Sequence, residues 1–149
     1  AARTLGRLAE ADRHLGHAIA SNSLQPDAYL ERAWLRRTEG RIDEGMEDAK
    51  RADEALTSHP NLEIKAPLCA ITGLLLADLQ RFDEAEAMFA RLFTIAPDEP
   101  RSLTWRGWSW LAAHRLDQAS ADVRAALLQD PQFEPALELL RVLEARGGE

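Results

Sequence analysis

The chain has 149 residues, 46% hydrophobic and 29% charged, a balance that folds as one domain and not as a disordered segment. Its net charge is −7 and its 18 basic residues, only two of them lysines (Lys50 and Lys65), form no basic half or tail, so no nucleic-acid partner is expected. No apolar run approaches the roughly 20 residues that span a bilayer, and the single cysteine, Cys69, excludes an internal disulfide or a cysteine-rich zinc site.

Taken in chain order, apolar spacing and stop signals predict helices near 8–22, 27–39, 42–57, 66–79, 82–95, 99–113, 116–129 and 133–146. Ala1 to Glu10 carries Arg3, Arg7 and Glu10 and no apolar block, so no signal peptide is visible. A cytoplasmic location is favoured on that ground, with a periplasmic or secreted one left open. Pro26-Asp27 marks a helix start, and Gly40 is a left-handed stop before the next helix. The stretch from Ser58 to Pro67 then lengthens a helix or a loop, and Ala66-Pro67 reads as the following start. Leu68, Ile71, Leu75, Leu76 and Leu79 fall on a 3.6-residue period, as do Phe82, Ala85, Met88, Phe89 and Leu92. Pro97-Asp98-Glu99-Pro100 is another start signal, and Gly147-Gly148 a frayed end.

The helices repeat. Runs beginning at Arg7, Arg41, Arg81 and Arg115 each give Arg, an apolar residue, acid-rich polar residues and then a small residue. The small residues are Ala11, Gly45, Ala85 and Ala119, spaced 34, 40 and 34 apart. Prolines keep the same rhythm, with Pro26 and Pro60 34 apart and Pro97 and Pro131 34 apart. Small residues at these positions let paired helices cross closely. A pair of such helices cannot cover its own apolar face, so stacking is required, which makes a quasi-one-dimensional solenoid.

One unit reads Leu103, Arg106-Gly107, Trp110, then Ala119, Val123 and Pro131; the unit before it reads Cys69, Thr72-Gly73, Leu76, then Ala85, Phe89 and Pro97. An earlier unit reads Tyr29, Arg32-Ala33, Arg36, then Gly45, Ala49 and Pro60, and the first keeps Ala11, Leu15 and Pro26. This phasing resembles the tetratricopeptide repeat family over nearly the whole chain. The resemblance implies an all-α fold, a right-handed superhelical solenoid of antiparallel helix pairs with about three full repeats and partial repeats at both ends. The expected organisation is a single domain over 1–149: a partial repeat 1–25, repeats 26–65, 66–99 and 100–133, and a capping helix 134–149. Because the chain opens inside a repeat without a starting Met, it is expected to be a fragment of a larger protein. Arg32, Thr72 and Arg106 stand where the family has Leu, which predicts more solvated sites there.

Signals for chemistry are weak. His14 and His17 lie three apart on one helix, but zinc needs three or four converging ligands and no others are near. The acidic clusters Asp43-Glu44-Glu47-Asp48 and Asp83-Glu84-Glu86 suit the positive ends of helices. Cys69 has no activating base and reads as a buried thiol. No phosphate-cradling glycine loop occurs. No catalytic activity, metal or cofactor is expected.

The resemblance puts first helices on a concave surface. Carried over, that geometry lines it with Trp34 and Arg37, then Ile71 and Leu74, then Arg101, Trp105 and Trp108, then Leu139, while Trp110 falls in the core. The strip is apolar, with Arg37 and Arg101 as its positive charges, so a clamp for a peptide's terminal carboxylate is absent. The implied function is a protein-interaction scaffold that takes an apolar or amphipathic peptide or helix in this groove. The alternative is a regulatory or assembly segment of a larger protein, its groove packed internally, covered by a neighbouring domain, or closed by self-association. The expected partner is a protein or peptide segment.

Overall fold

A computed structural model of the protein describes residues 2–21, 26–58, 60–97 and 99–147. Asn22, His59, Asp98 and Gly148, each part of a sequence expectation above, lie outside the described residues. Among the described residues eight helices follow one another: α1 (Ala2–Ser21), α2 (Pro26–Thr38), α3 (Ile42–Ser58), α4 (Leu62–Asp78), α5 (Phe82–Ile95), α6 (Pro100–Ala112), α7 (Leu116–Gln129) and α8 (Glu134–Gly147). No strand occurs among the described residues. The tight pairs are α2 with α3, α4 with α5 and α6 with α7. The first helices α2, α4, α6 and α8 stack side by side in one layer. Each of α1, α3, α5 and α7 packs on the first helix that follows it, while among the described residues α3 and α5 do not pack backbone to backbone.

Two helix starts differ from the sequence expectation. The helix α1 begins at Ala2, since nothing before Arg7 breaks it. The helix α4 begins at Leu62, four residues ahead of Ala66-Pro67, because Asn61 supplies the cap: its backbone is extended and its side chain accepts from the Glu63 N–H at 3.0 Å. Burial of Ile64 and Ala66 rewards the added turn, and Pro67 is carried inside the helix, where it costs a single hydrogen bond. The inserted residues therefore lengthen α4 to 17 residues against 13 in α2 and α6.

Every pair turns the same way. Gly40, Gln80 and His114 all have positive φ (78°, 63° and 60°). At each turn the left-handed residue donates to a carbonyl three back and the next residue to one five back: Gly40 to Arg37 and Arg41 to Arg36, Gln80 to Ala77 and Arg81 to Leu76, His114 to Leu111 and Arg115 to Trp110. This is the Schellman closure of a helix end. Only the first of the three uses glycine.

Helix crossings need small residues. A Cβ on Gly73 would sit 2.7 Å from the Phe89 ring, and one on Gly107 2.8 Å from Leu139 Cδ2. Ala85 and Ala119 are buried on the partner helices. Two of the three tight pairs, α2–α3 and α6–α7, share the same charge pair. Arg32 donates from Nε and Nη2 to Asp48 at 2.9 and 2.7 Å, and Arg106 donates to Asp122 at the same two distances. Both arginines keep part of their side chain in solvent, at 19% for Arg32 and 32% for Arg106, while their charged ends are held by carboxylates. Asp48 and Asp122 are buried, and each forms a bidentate pair that keeps its guanidinium against the fold. The Asp48 contact also raises the Arg32 pKa above its ordinary value, the side-chain hydrogen bond being the main cause.

Two stability predictions follow from these features. Gln80→Gly relieves a left-handed non-glycine residue and should raise the unfolding free energy in urea by about 1 kcal/mol, and Gly40→Ala should lower it by about as much. Asp122→Ala removes the bidentate acceptor of the Arg106 guanidinium and should cost about 2–3 kcal/mol in the same titration. The double change Arg106→Thr with Asp122→Met should cost less than Asp122→Ala alone, since it leaves no unpaired charge.

Candidate functional site

The helix α4 lies between α2 and α6 in the first-helix layer, and its neighbours reach across it. Trp34 of α2 and Trp105 of α6 stack, with ring centroids 5.9 Å apart and planes 29° apart. That is within the range of offset aromatic pairs. Both rings, with Trp108, pack on a buried cluster containing Ala66, Ala70 and Leu74 of α4. Trp108 also packs on the next cluster along, around Leu111 and Leu139. All three tryptophans remain partly exposed.

Charge frames the stack. The Arg101 guanidinium lies 4.8 Å from the Trp105 ring centroid, a cation–π contact, and among the described residues no carboxylate pairs with it. Arg37 is already engaged: its Nε donates to Asp78 Oδ2 at 2.7 Å, bridging α2 to the end of α4. Of the two arginines on this face, Arg101 alone keeps its charge available.

Trp34, Arg37, Arg101, Trp105 and Trp108 are thus brought to one face of the first-helix layer. Ile71, Leu74 and Leu139 are not on an open surface, which corrects their assignment as partner-contacting residues: their exposures are 0, 2 and 0%. Leu74 lies in the cluster on which the tryptophans pack, and Ile71 in the neighbouring cluster against which Trp34 packs. Leu139 presses on α6 where Gly107 lacks a side chain. The strip is therefore closed by its own aromatic residues over α4. Trp110 departs from expectation in the other direction: it is only partly buried and sits under Arg115, whose guanidinium is 5.4 Å from its ring centroid.

Sequence reasoning passed over a second feature. A cleft of about 460 Å³ opens between α3 and α5, with α4 as its floor. The signal for it is in the repeat. Where two units carry the pairs Arg32–Asp48 and Arg106–Asp122, the unit between them carries Thr72 and Met88, and both line the cleft. Cys69 lies in its floor as a buried thiol, and burial pushes its pKa up, away from the reactive thiolate.

Among the described residues, no group of His, Cys, Asp and Glu is placed to hold a metal ion, and no helix is long and apolar enough to cross a membrane. No curated protein matches the sequence. In the crystal structure of the APC/C hetero-tetramer Cut9-Hcn1, a chain superposes with a TM-score of 0.75 at 16% identity, over 95% of this chain and 27% of that one. The present chain thus spans about a quarter of that relative's length, and the likeness is one of fold. Residues 66–99, the pair α4–α5 without the first turn of α4, match the model described as tetratricopeptide repeat. Such repeats form scaffolds that bind protein partners and are generally non-catalytic. Residues 66–99 are thus similar to a tetratricopeptide repeat, and the same turn recurs in the helix pairs on either side of them, in a fold like that of a helical solenoid.

Proposed function

We propose that this chain is a protein-interaction scaffold that receives an apolar or amphipathic segment on the first-helix face, anchored on Trp34, Trp105 and Trp108. The observation that carries this reading is the Trp34–Trp105 stack beneath Arg101. Large aromatic rings and arginine dominate the energetics of protein interfaces, because they bury much area while losing little rotamer freedom. Here the rings are already held by a buried cluster, so a partner meets a pre-organised surface.

Arg101 sets the expected polarity of the partner. It selects an acidic residue beside the apolar contact, whereas Arg37, neutralised by Asp78, supports the site by tying α2 to α4. Closure of the strip over Ile71 and Leu74 argues for a segment that lies across the rings and against insertion of a side chain deep between the helices. We also read the chain as one domain whose repeats continue along a single axis, so that the face extends from α2 to α8. Occupation of the same face by a second copy is the competing assignment.

A selection of amphipathic peptides carrying an acidic flank tests the site. Trp34→Ala with Trp105→Ala should weaken a selected peptide by at least about tenfold, ~1.4 kcal/mol, with far-UV circular dichroism unchanged. Trp110→Ala, on the other side of α6, should leave affinity within roughly twofold. Equal losses in the two variants would reject the face. Sedimentation that shows a wild-type dimer, dissolved by the Trp34/Trp105 change, would assign the face to a second copy of the chain.

A further inference from the structure

The cleft between α3 and α5 has a local cause that can be read position by position. At four aligned positions, the junction of α1 with α2 carries Leu15, Ile19, Tyr29 and Arg32. The junction of α5 with α6 carries Phe89, Phe93, Leu103 and Arg106. In both, the arginine also lies over an aromatic ring, Arg32 at 5.9 Å from the Tyr29 centroid and Arg106 at 4.1 Å from that of Phe93. The junction of α3 with α4 has Ala49, Asp53, Cys69 and Thr72 instead. All four side chains are smaller than their counterparts, and the space they leave is the cleft.

The lining is chemically specific. Met46, Leu56, Leu68, Met88 and Ile95 supply an aliphatic and thioether wall, and no aromatic residue contributes. Ile95 is one of few large apolar side chains that stay exposed, at 43%. Lys50, Lys65 and Arg91 stand at the rim against a single carboxylate, Asp53, which makes the lining +2 in a chain of net charge −7. Those lysines are the only two in the sequence. Among the described residues no carboxylate pairs with Lys50, Lys65 or Arg91; Arg91 approaches only the Met88 sulfur, at 3.9 Å.

We infer that this cleft binds a small aliphatic carboxylate of the fatty-acid class, its chain against Met46, Leu68 and Met88 and its head group held by Lys50, Lys65 and Arg91. Size favours a small molecule, since 460 Å³ falls among ligand pockets, which run from about 300 to 1,000 Å³. Two turns of an incoming helix, ~10 Å across, would fill roughly 850 Å³. An extended peptide is disfavoured because the walls are helices, whose backbone groups are already bonded to one another and offer no edge to pair with. A ligand with one charged end and an otherwise apolar body matches three unpaired cations over thioether and aliphatic carbon. The site is separate from the tryptophan face. Lys65, Leu68, Cys69 and Thr72 form one stripe of α4, while Ala70 and Leu74 lie on the opposite side at 100° per residue.

The protein carries its own reporters, because its only two methionines, Met46 and Met88, both line the cleft. A methyl spectrum of the whole chain labelled with ¹³C-methyl methionine therefore has two lines, to be followed while decanoate is added below its micelle concentration. Both lines should move and saturate, and decyltrimethylammonium should leave them in place. Lys50→Gln, Lys65→Gln and Arg91→Gln together, all exposed positions, should raise the decanoate concentration at half-saturation by at least about tenfold. Ala49→Phe, which installs the Phe89 counterpart in the cleft, should abolish the shifts. Absence of any decanoate shift, an equal response to the cationic amphiphile, or unchanged binding in the charge-removed variant would overturn the assignment; should Ala49→Phe fail to fold, the charge-removed variant decides alone.

Discussion

A helix covered on most sides must be apolar or small around most of its circumference, because little surface is left for charge. The helix α4 meets that demand, with 11 of its 17 residues buried against α2, α3, α5 and α6. Other helices of the chain keep a wet face and need only half of such a pattern. Once α4 is fixed, its neighbours have little freedom. Phe89 can approach only because Gly73 has no side chain, and this sets how closely α5 lies. Trp34 and Trp105 come from helices on either side of α4, 71 positions apart, and stack because the cluster beneath them presents Ala66, Ala70 and Leu74. The functional face is thus a consequence of how α4 is buried.

Charge is handled differently at the junctions. Arg32–Asp48 and Arg106–Asp122 each bury a carboxylate beneath an arginine that is partly exposed. A buried pair of this kind contributes little net stability over an apolar replacement but is costly to break singly. That asymmetry explains why the substitution in the intervening unit is a double one, Thr72 with Met88. Either member alone would leave a charge without its partner.

Much of this was legible in the sequence. Spacings of 34, 40 and 34 gave the pairs, and 3.6-residue periodicity gave the faces. The start of α4 lies ahead of Ala66-Pro67 because a proline is tolerated within the early turns of a helix and Asn61 makes the cap. Ile71, Leu74 and Leu139 were assigned to the correct side of their helices and to the wrong environment. Periodicity tells which way a side chain points, and only the neighbouring unit decides whether it is covered. The charge of Arg37 was misjudged for the same reason, since Asp78, which engages it, lies 41 residues away.

A repeat protein can afford one irregular junction more readily than a single-core domain can. Each unit contacts only its neighbours, so emptying the space between α3 and α5 leaves the packing at the α1–α2 and α5–α6 junctions unchanged. The loss of packing at Ala49, Asp53, Cys69 and Thr72 is confined to one place, and the extra turn of α4, which buries Ile64 and Ala66, adds apolar contact beside it. Cations left unpaired at that same junction, in a chain whose other arginines so often find carboxylates, lie where a folding requirement does not explain them. Departure from the repeat, together with charge that the fold does not use, is what separates a recognition feature from a packing defect.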